Sequence, residues 1–258
     1  MSARIIVTAA SERETEAAQQ LAAEFLLEFI PDVHDARIKD YDYGLVVTAE
    51  YLGLQATSAA KFAPFYIDFL AGKMRFRSDQ AGLKSELLAR ALGVKPKDHP
   101  RIIDATAGLG RDSFILAKLG FEITLLERSP IIFALLRDAM RRAAADAAMA
   151  AIIARMHLLH VDACDWLAQL PPDQHPDIIY LDPMFPEREK SASVKKEMVI
   201  LQNLLQKDTD SIPLLNAAIA CSRRRVVVKR PRLAPTLSDL TPSYALKGKS
   251  SRFDIYLV

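Results

Sequence analysis

At 258 residues, half of them hydrophobic, the chain can bury one sizeable core with a smaller appended lobe, and that composition excludes a disordered polymer. The net charge of +2, from 34 basic against 32 acidic residues, does not by itself mark a nucleic-acid binder. No apolar run approaches the roughly 18 to 20 residues of a membrane span, and residues 1–16 lack the basic and apolar blocks of an export signal, so no membrane partner is expected.

The first hundred residues read as a small α/β lobe. Ile5 to Thr8 reads as a strand, Glu12 to Phe29 as an amphipathic helix, and Gly44 to Thr48 and Phe65 to Phe69 as further strands. Gly72 marks a turn leading into Met74 to Arg77, and Gly82 to Leu92 reads as a helix. The stretch Lys95-Pro96-Lys97-Asp98 sets the boundary, which divides a lobe of residues 1–97 from a larger domain of residues 98–258.

Beyond that boundary strand and helix alternate. The expected strands are Arg101 to Thr106, Phe121 to Glu127, Met156 to Val161, Asp177 to Leu181 and Arg225 to Lys229, the last built on Val226-Val227-Val228. The expected helices are Asp112 to Leu119, Pro130 to Ala145, a short one around Cys164 to Leu170, and Ser191 to Gln206. Such alternation implies a parallel sheet covered on both faces. Tyr244 to Lys247 and Arg252 to Leu257 break the pattern: two strands around the short loop Gly248-Lys249-Ser250-Ser251 read as a hairpin. Cys164 and Cys221 are far apart and lack metal-ligand spacing, so reduced thiols in the cytoplasm and no metal are expected.

Two strand ends carry chemistry. After Ile102-Ile103 comes Asp104-Ala105-Thr106-Ala107-Gly108-Leu109-Gly110, an acid and a glycine turn opening a helix, where the backbone can turn tightly and admit a ligand. A second acid, Glu127, ends the next strand seventeen residues past Gly110, placed to accept hydrogen bonds from the ribose hydroxyls of an adenosine. A third, Asp162, closes the following strand, where its side chain or the Ala163 amide can reach an adenine edge. Each has a plainer reading: Asp104 and Asp162 as helix caps, Glu127 as a surface acid paired to Arg128. A dinucleotide site is disfavoured, because its third glycine would fall at Ser113 and pyrophosphate avoids a helix start bearing Asp112. The sulfonium and amino group of S-adenosylmethionine suit an acid-rich pocket better, with Arg111 available for the donor's carboxylate.

The second strand end is Asp182-Pro183-Met184-Phe185-Pro186, after Ile178-Ile179-Tyr180-Leu181. A base amine is a poor nucleophile because its lone pair is delocalised into the ring. Acceptors must draw on its protons as that lone pair localises. The Asp182 carboxylate and the Pro183 carbonyl can supply them, and Phe185 can stack on the base. The turn resembles the D/N-P-P-F/Y/W signature of amino-methyltransferases, with Met184 in place of the second proline.

The resemblance extends over residues 101–256. The run from Asp104 to Asp112, Leu126-Glu127-Arg128 with Pro130, Tyr180 to Pro186, Lys190-Ser191-Ala192 with Val194 to Met198, Val226 to Pro231, and Lys247-Gly248 with Arg252 to Tyr256 resemble the ribosomal RNA small-subunit methyltransferase J family. That resemblance implies a doubly wound, Rossmann-like class I sheet with an antiparallel last strand, and methylation of guanosine N2 near the 3′ end of 16S ribosomal RNA. S-adenosylmethionine would be the donor and S-adenosylhomocysteine the product. It carries cofactor contacts onto Arg111-Asp112, Glu127-Arg128, Asp162-Ala163 and Asp182. It also implies that Lys190, Lys195, Lys196, Lys229 and Arg230 line the RNA approach, with Lys247 and Lys249 on the closing hairpin continuing a phosphate track to the RNA or the small ribosomal subunit. Other basic concentrations are Arg223-Arg224-Arg225 and Lys73 with Arg75 and Arg77. The competing readings are a DNA or other RNA amino-methyltransferase, and a noncatalytic RNA-binding assembly factor. A DNA enzyme usually carries a recognition region of its own, and none is found after residue 186; the assembly factor predicts decay of Asp182 and Phe185, which are present.

Overall fold

The computed structural model of the protein describes residues 3–32, 34–59, 63–70, 74, 77, 80–183 and 210–258. Two compact units emerge, each drawing on separate stretches of chain. The first holds described residues 3–68 and 129–142, the second residues 69–128, 143–183 and 210–258.

In the first unit, β1 (Ile5–Ala9), β2 (Glu28–Phe29), β3 (Tyr43–Val47) and β4 (Leu52–Ala56) form a sheet of order β2-β1-β3-β4. β1 runs parallel to β2 and β3, while β3 and β4 form an antiparallel hairpin with Leu45 opposite Leu54. The helix expected from Glu12 to Phe29 is shorter: a 3-10 turn at Glu12–Glu14 leads into α1 (Thr15–Glu24), and residues 28–29 form a strand. The stop is a Schellman-type cap. Leu26 adopts φ 54°, its N–H donates to Ala23 O, and the Leu27 N–H donates to Ala22 O at 2.9 Å. Phe65 makes only an isolated bridge to Leu54 where a strand was expected. The long helix from Pro130 to Ala144 contributes Asp138, which accepts from the Leu52 N–H, and Arg137, which pairs with Glu24.

In the second unit, α2 (Leu87–Leu92), with Glu86 as its N-cap, is shorter than the Gly82 to Leu92 expected. The seven-stranded sheet is built from β5 (Ile102–Asp104), β6 (Ile123–Glu127), β7 (Met156–His160), β8 (Ile178–Leu181), β9 (Arg225–Pro231), β10 (Tyr244–Lys247) and β11 (Ser251–Leu257). Its order is β10-β11-β9-β8-β5-β6-β7, with β11 antiparallel to β9 and to β10 and the other pairs parallel. This is the doubly wound class I sheet with an antiparallel closing strand that the motifs implied. Ile178, Ile179 and Val226 to Val228 are fully buried, the continuous apolar run that a strand covered on both faces requires.

The helices between these strands are α3 (Arg111–Lys118), α4 (Pro130–Ala144, assigned mainly to the first unit), α5 (Ala150–Ile153), α6 (Ala163–Ala168) and α7 (Ser211–Cys221). α7 was not expected. Its Pro213 reads as a helix breaker, yet it lies in the first turn, where its missing N–H is not needed. Leu214, Leu215 and Ala218 of α7 join Ala163 and Leu167 of α6 against Ile103, Leu126, Ile179, Val226 and Val228 of the sheet. The helix expected from Ser191 to Gln206 lies outside the described residues. Among the described residues no helix is long and apolar enough to cross a membrane.

Candidate active site

The winding reverses between β5 and β8: from β5 the chain steps outward through β6 to β7, then returns to β8 and β9 on the other side. The carboxyl ends of β5 and β8 therefore border the crevice where such sheets bind ligands. The loop after β5 stays tied to both neighbours, its Ala105 N–H donating to Tyr180 O and its Ala107 N–H to Leu126 O. It closes through Gly108 at φ 51° and Gly110 at φ 67°, a left-handed geometry that opens α3 without a Cβ penalty.

The strand-end acids divide into two kinds. Glu127, 6% exposed, accepts the Gly108 N–H at 2.9 Å through Oε2, so the β6 acid is bonded to the glycine loop and is not the surface acid of its plainer reading. Asp162, half-exposed, caps α6 by accepting from the Cys164 and Asp165 amides. Arg128 pairs with Asp162 at 3.7 Å and with Asp210. Arg111 is exposed at the start of α3 and Ala163 is buried.

Asp104 and Asp112 depart from the expectation of cofactor-facing side chains. Asp104 is 2% exposed, with Ser113 Oγ at 2.5 Å and the Thr106 N–H at 3.1 Å donating to it. Burial pushes its carboxyl up to about 7 against the lowering effect of those two bonds. Asp112 accepts at 2.7 Å from each of Arg77 Nη1, the Tyr180 hydroxyl and Lys229 Nζ. Burial works to raise its carboxyl, but the Lys229 and Arg77 charges outweigh it and hold the group well below the usual range.

Asp182 follows β8 directly. Its N–H donates to Thr106 Oγ1 at 2.6 Å, and its Oδ2 accepts from Lys229 Nζ at 2.7 Å. Pro183 beside it is buried. One ammonium on β9 thus joins the acid of α3 to the acid of the β8 turn. Burial disfavours that charge, yet the two carboxylates raise the Lys229 ammonium above its ordinary range.

The basic residues separate in the same way. Lys247 and Lys249 are exposed on β10 and its hairpin loop. Lys229 and Arg230 depart from the expected RNA track: the Lys229 ammonium is taken by two carboxylates, and Arg230, 3% exposed, donates to Pro235 O. A lysine so paired adds no net charge for a phosphate to meet. Phe185, Lys190, Lys195 and Lys196 lie outside the described residues. Arg77, Thr106, Ser113 and Tyr180 were not singled out as site residues. Only Tyr180 carried a sequence signal, being two residues before Asp182 and so on the same face of an extended strand.

A family model described as "Putative SAM-dependent methyltransferase" matches residues 33–258. A ribosomal RNA small subunit methyltransferase J from Thioalkalivibrio sulfidiphilus is 46% identical over 254 residues, covering 98% of both chains. One from Stutzerimonas stutzeri is 48% identical over 219 residues, covering 85% of this chain and 84% of the relative. Among solved structures, a SAM-dependent methyltransferase from Neisseria gonorrhoeae superposes with a TM-score of 0.75 at 33% identity, covering 98% of this chain and 95% of the other. With its fold, its glycine loop and its strand-end acids, the chain belongs to the ribosomal RNA small subunit methyltransferase J family of S-adenosylmethionine-dependent enzymes.

Proposed function

We propose that this chain methylates 16S ribosomal RNA in the cytoplasm, on the exocyclic N2 amine of a guanosine near the 3′ end. The observation that carries the reading is Asp182: it ends β8 at the winding reversal, beside the glycine loop, in an Asp-Pro turn with acceptors to offer an amine. The residues of the β5 and β6 ends fit the donor. Among the described residues, a Cβ built on Gly108 would meet only the Thr106 carbonyl oxygen, at 3.8 Å, which leaves that side of the loop open to close approach. Glu127 uses Oε2 on the Gly108 amide, and a carboxylate has lone pairs enough to accept ribose hydroxyls as well.

Bound S-adenosylmethionine supplies an electrophilic methyl group on a sulfonium. The residues of residues 98–258 do the rest. Gly108, Gly110, Glu127, Asp162 and Ala163 hold the nucleoside, and Arg111 and Arg128 stand at the polar rim. Asp104 and Asp112 act from behind, one bracing the glycine loop and the other the Asp182 turn. Asp182 and the Pro183 carbonyl accept hydrogen bonds from the amine as its lone pair localises, bonds that are strongest in the transition state, and the one proton the methylated nitrogen gives up leaves on the Asp182 side. Phe185, next but one in sequence to Pro183, is proposed to stack on the guanine once it is drawn out of the RNA. Lys247 and Lys249, with Lys190, Lys195 and Lys196, are proposed to hold phosphates.

Mass-spectrometric mapping of ribosomal RNA from cells lacking the gene tests the reading. The guanosine N2 methyl should disappear and return when purified protein and donor are supplied to naked RNA or whole small subunits. Asp182→Asn should bind RNA yet fail to restore it. Unmethylated wild-type RNA at that position, or near wild-type turnover by Asp182→Asn, refutes the proposal.

A further inference from the structure

We propose that Lys229 is a positioning residue of the methyl transfer, holding the Asp182 carboxylate in its working orientation by anchoring it to the buried carboxylate of Asp112. The inference rests on the role given to Asp182 above. Lys229 follows the buried run Val226 to Val228 on β9 and lies opposite Phe253 of β11, so its stem rises from a fixed point in the sheet. Its ammonium contacts Asp112 Oδ2 and Asp182 Oδ2 at 2.7 Å each. Asp112 does not yield: Arg77 Nη1 and the Tyr180 hydroxyl hold it at 2.7 Å each, and Arg77 is braced in turn by Glu86 at 3.1 Å.

Asp182 is thereby fixed at two points, its amide on Thr106 Oγ1 and its carboxylate on Lys229. Its side chain is 39% exposed in a turn, where a carboxylate has more than one rotamer open to it. Orientation matters here because only a carboxylate aimed at the amine protons lowers the barrier. Both of these contacts of Lys229 are to carboxylates, so the lysine acts through Asp182.

Among the described residues, the charged and titratable groups around this point are Asp112 from α3, Asp182 and Tyr180 with the end of β8, Asp104 from β5, Arg230 from β9, and Arg77 with its partner Glu86. Without the ammonium, the Asp112 and Asp182 carboxylates lose the cation that they share, which favours proton uptake by the pair. Lys229→Met should therefore have a rate that climbs as pH rises, as well as a lower one.

The test is single-turnover methylation of 16S ribosomal RNA at saturating donor from pH 6 to 9, with donor affinity by calorimetry. Lys229→Met should lose rate on the order of a hundredfold with donor and RNA affinity within about threefold of wild type, and Lys229→Arg should regain about tenfold. A double variant, Lys229→Met with Asp112→Asn, removes the buried charge imbalance and guards against a simple folding defect; it should stay slow. Wild-type rate in Lys229→Met overturns the inference, as does weakened RNA binding at unchanged rate, which would make Lys229 a phosphate contact. Full recovery in the double variant also overturns it, since Lys229 would then only neutralise Asp112. A dead Asp182→Asn beside a fully active Lys229→Met rejects this inference alone, whereas an active Asp182→Asn rejects the role of Asp182 and this inference with it.

Discussion

Asp104 should make the protein less stable as pH rises through neutrality. Its carboxyl is 2% exposed, and burial sets it at about 7 in the folded chain, against about 3.9 unfolded. The folded state therefore binds the proton more tightly than the unfolded state. Its favourable contribution is fully present below about pH 4 and is lost as pH climbs to about 7. Integrated over both equilibria, stability falls by a few kcal/mol, on the order of 2 to 3, between pH 5 and pH 8 from this one group. The acids whose carboxyls are held down, Asp112 and Asp138, act in the opposite sense and below that window: their contribution is present above the unfolded value and lost as pH falls through the folded one. Asp104→Asn keeps the Oδ1 acceptor for the Thr106 amide, places an N–H donor opposite Ser113 Oγ, and has no proton to lose. Urea unfolding at pH 5 and pH 8 should show a drop in the native protein that the variant lacks, narrowing any difference between them at pH 5. Parallel losses in both proteins would mean that Asp104 is not the group holding the proton.

Two further substitutions probe other parts of the chain. Leu26 is 93% exposed at φ 54° in the cap of α1, so Leu26→Gly should remove left-handed strain at little cost in buried surface and raise stability by about 1 kcal/mol, read as a higher denaturant midpoint at unchanged slope. Glu127→Ala should weaken S-adenosylmethionine binding about tenfold or more, through loss of charge-assisted hydrogen bonds worth about 1.5 to 3 kcal/mol; unchanged calorimetric affinity in a folded variant would remove Glu127 from the donor site.

The sheet of the second unit was legible because parallel strands buried on both faces leave short apolar runs bounded by turn residues, as in Ile178-Ile179-Tyr180-Leu181 and Val226-Val227-Val228. Its helix α7 was not, since it is apolar nearly all round and carries a proline that only its place in the first turn makes harmless. In the first unit β4 was hidden by its composition: Leu52-Gly53-Leu54-Gln55-Ala56 has no β-branched residue, and its strand character comes from pairing with β3. The end of α1 was hidden by Leu26, a residue type that rarely takes a left-handed cap. Within the site, acids at strand ends could be found by register alone. The partners of those acids could not: Arg77 reaches Asp112 across 35 residues and Lys229 reaches it across 117, and no local pattern announces such a pairing. The same side-chain pairing turned Lys229 from an expected phosphate ligand into part of an internal ion network.

The bond from the Asp182 N–H to Thr106 Oγ1 joins the turns at the ends of two adjacent parallel strands, β8 and β5. Neighbouring strands stand about 4.8 Å apart, a spacing dictated by backbone hydrogen bonding that no side-chain substitution can stretch. The sheet therefore works as a fixed gauge between the ends of β5 and β8, which the proposed function gives to the donor and to the acceptor. A relative that accepted a bulkier or differently presented amine would have to accommodate it in the sequence after Pro183. Divergence in substrate choice within this fold should accordingly accumulate after Pro183, while the residues that set the gauge, Thr106 and Asp182, change together or remain as they are.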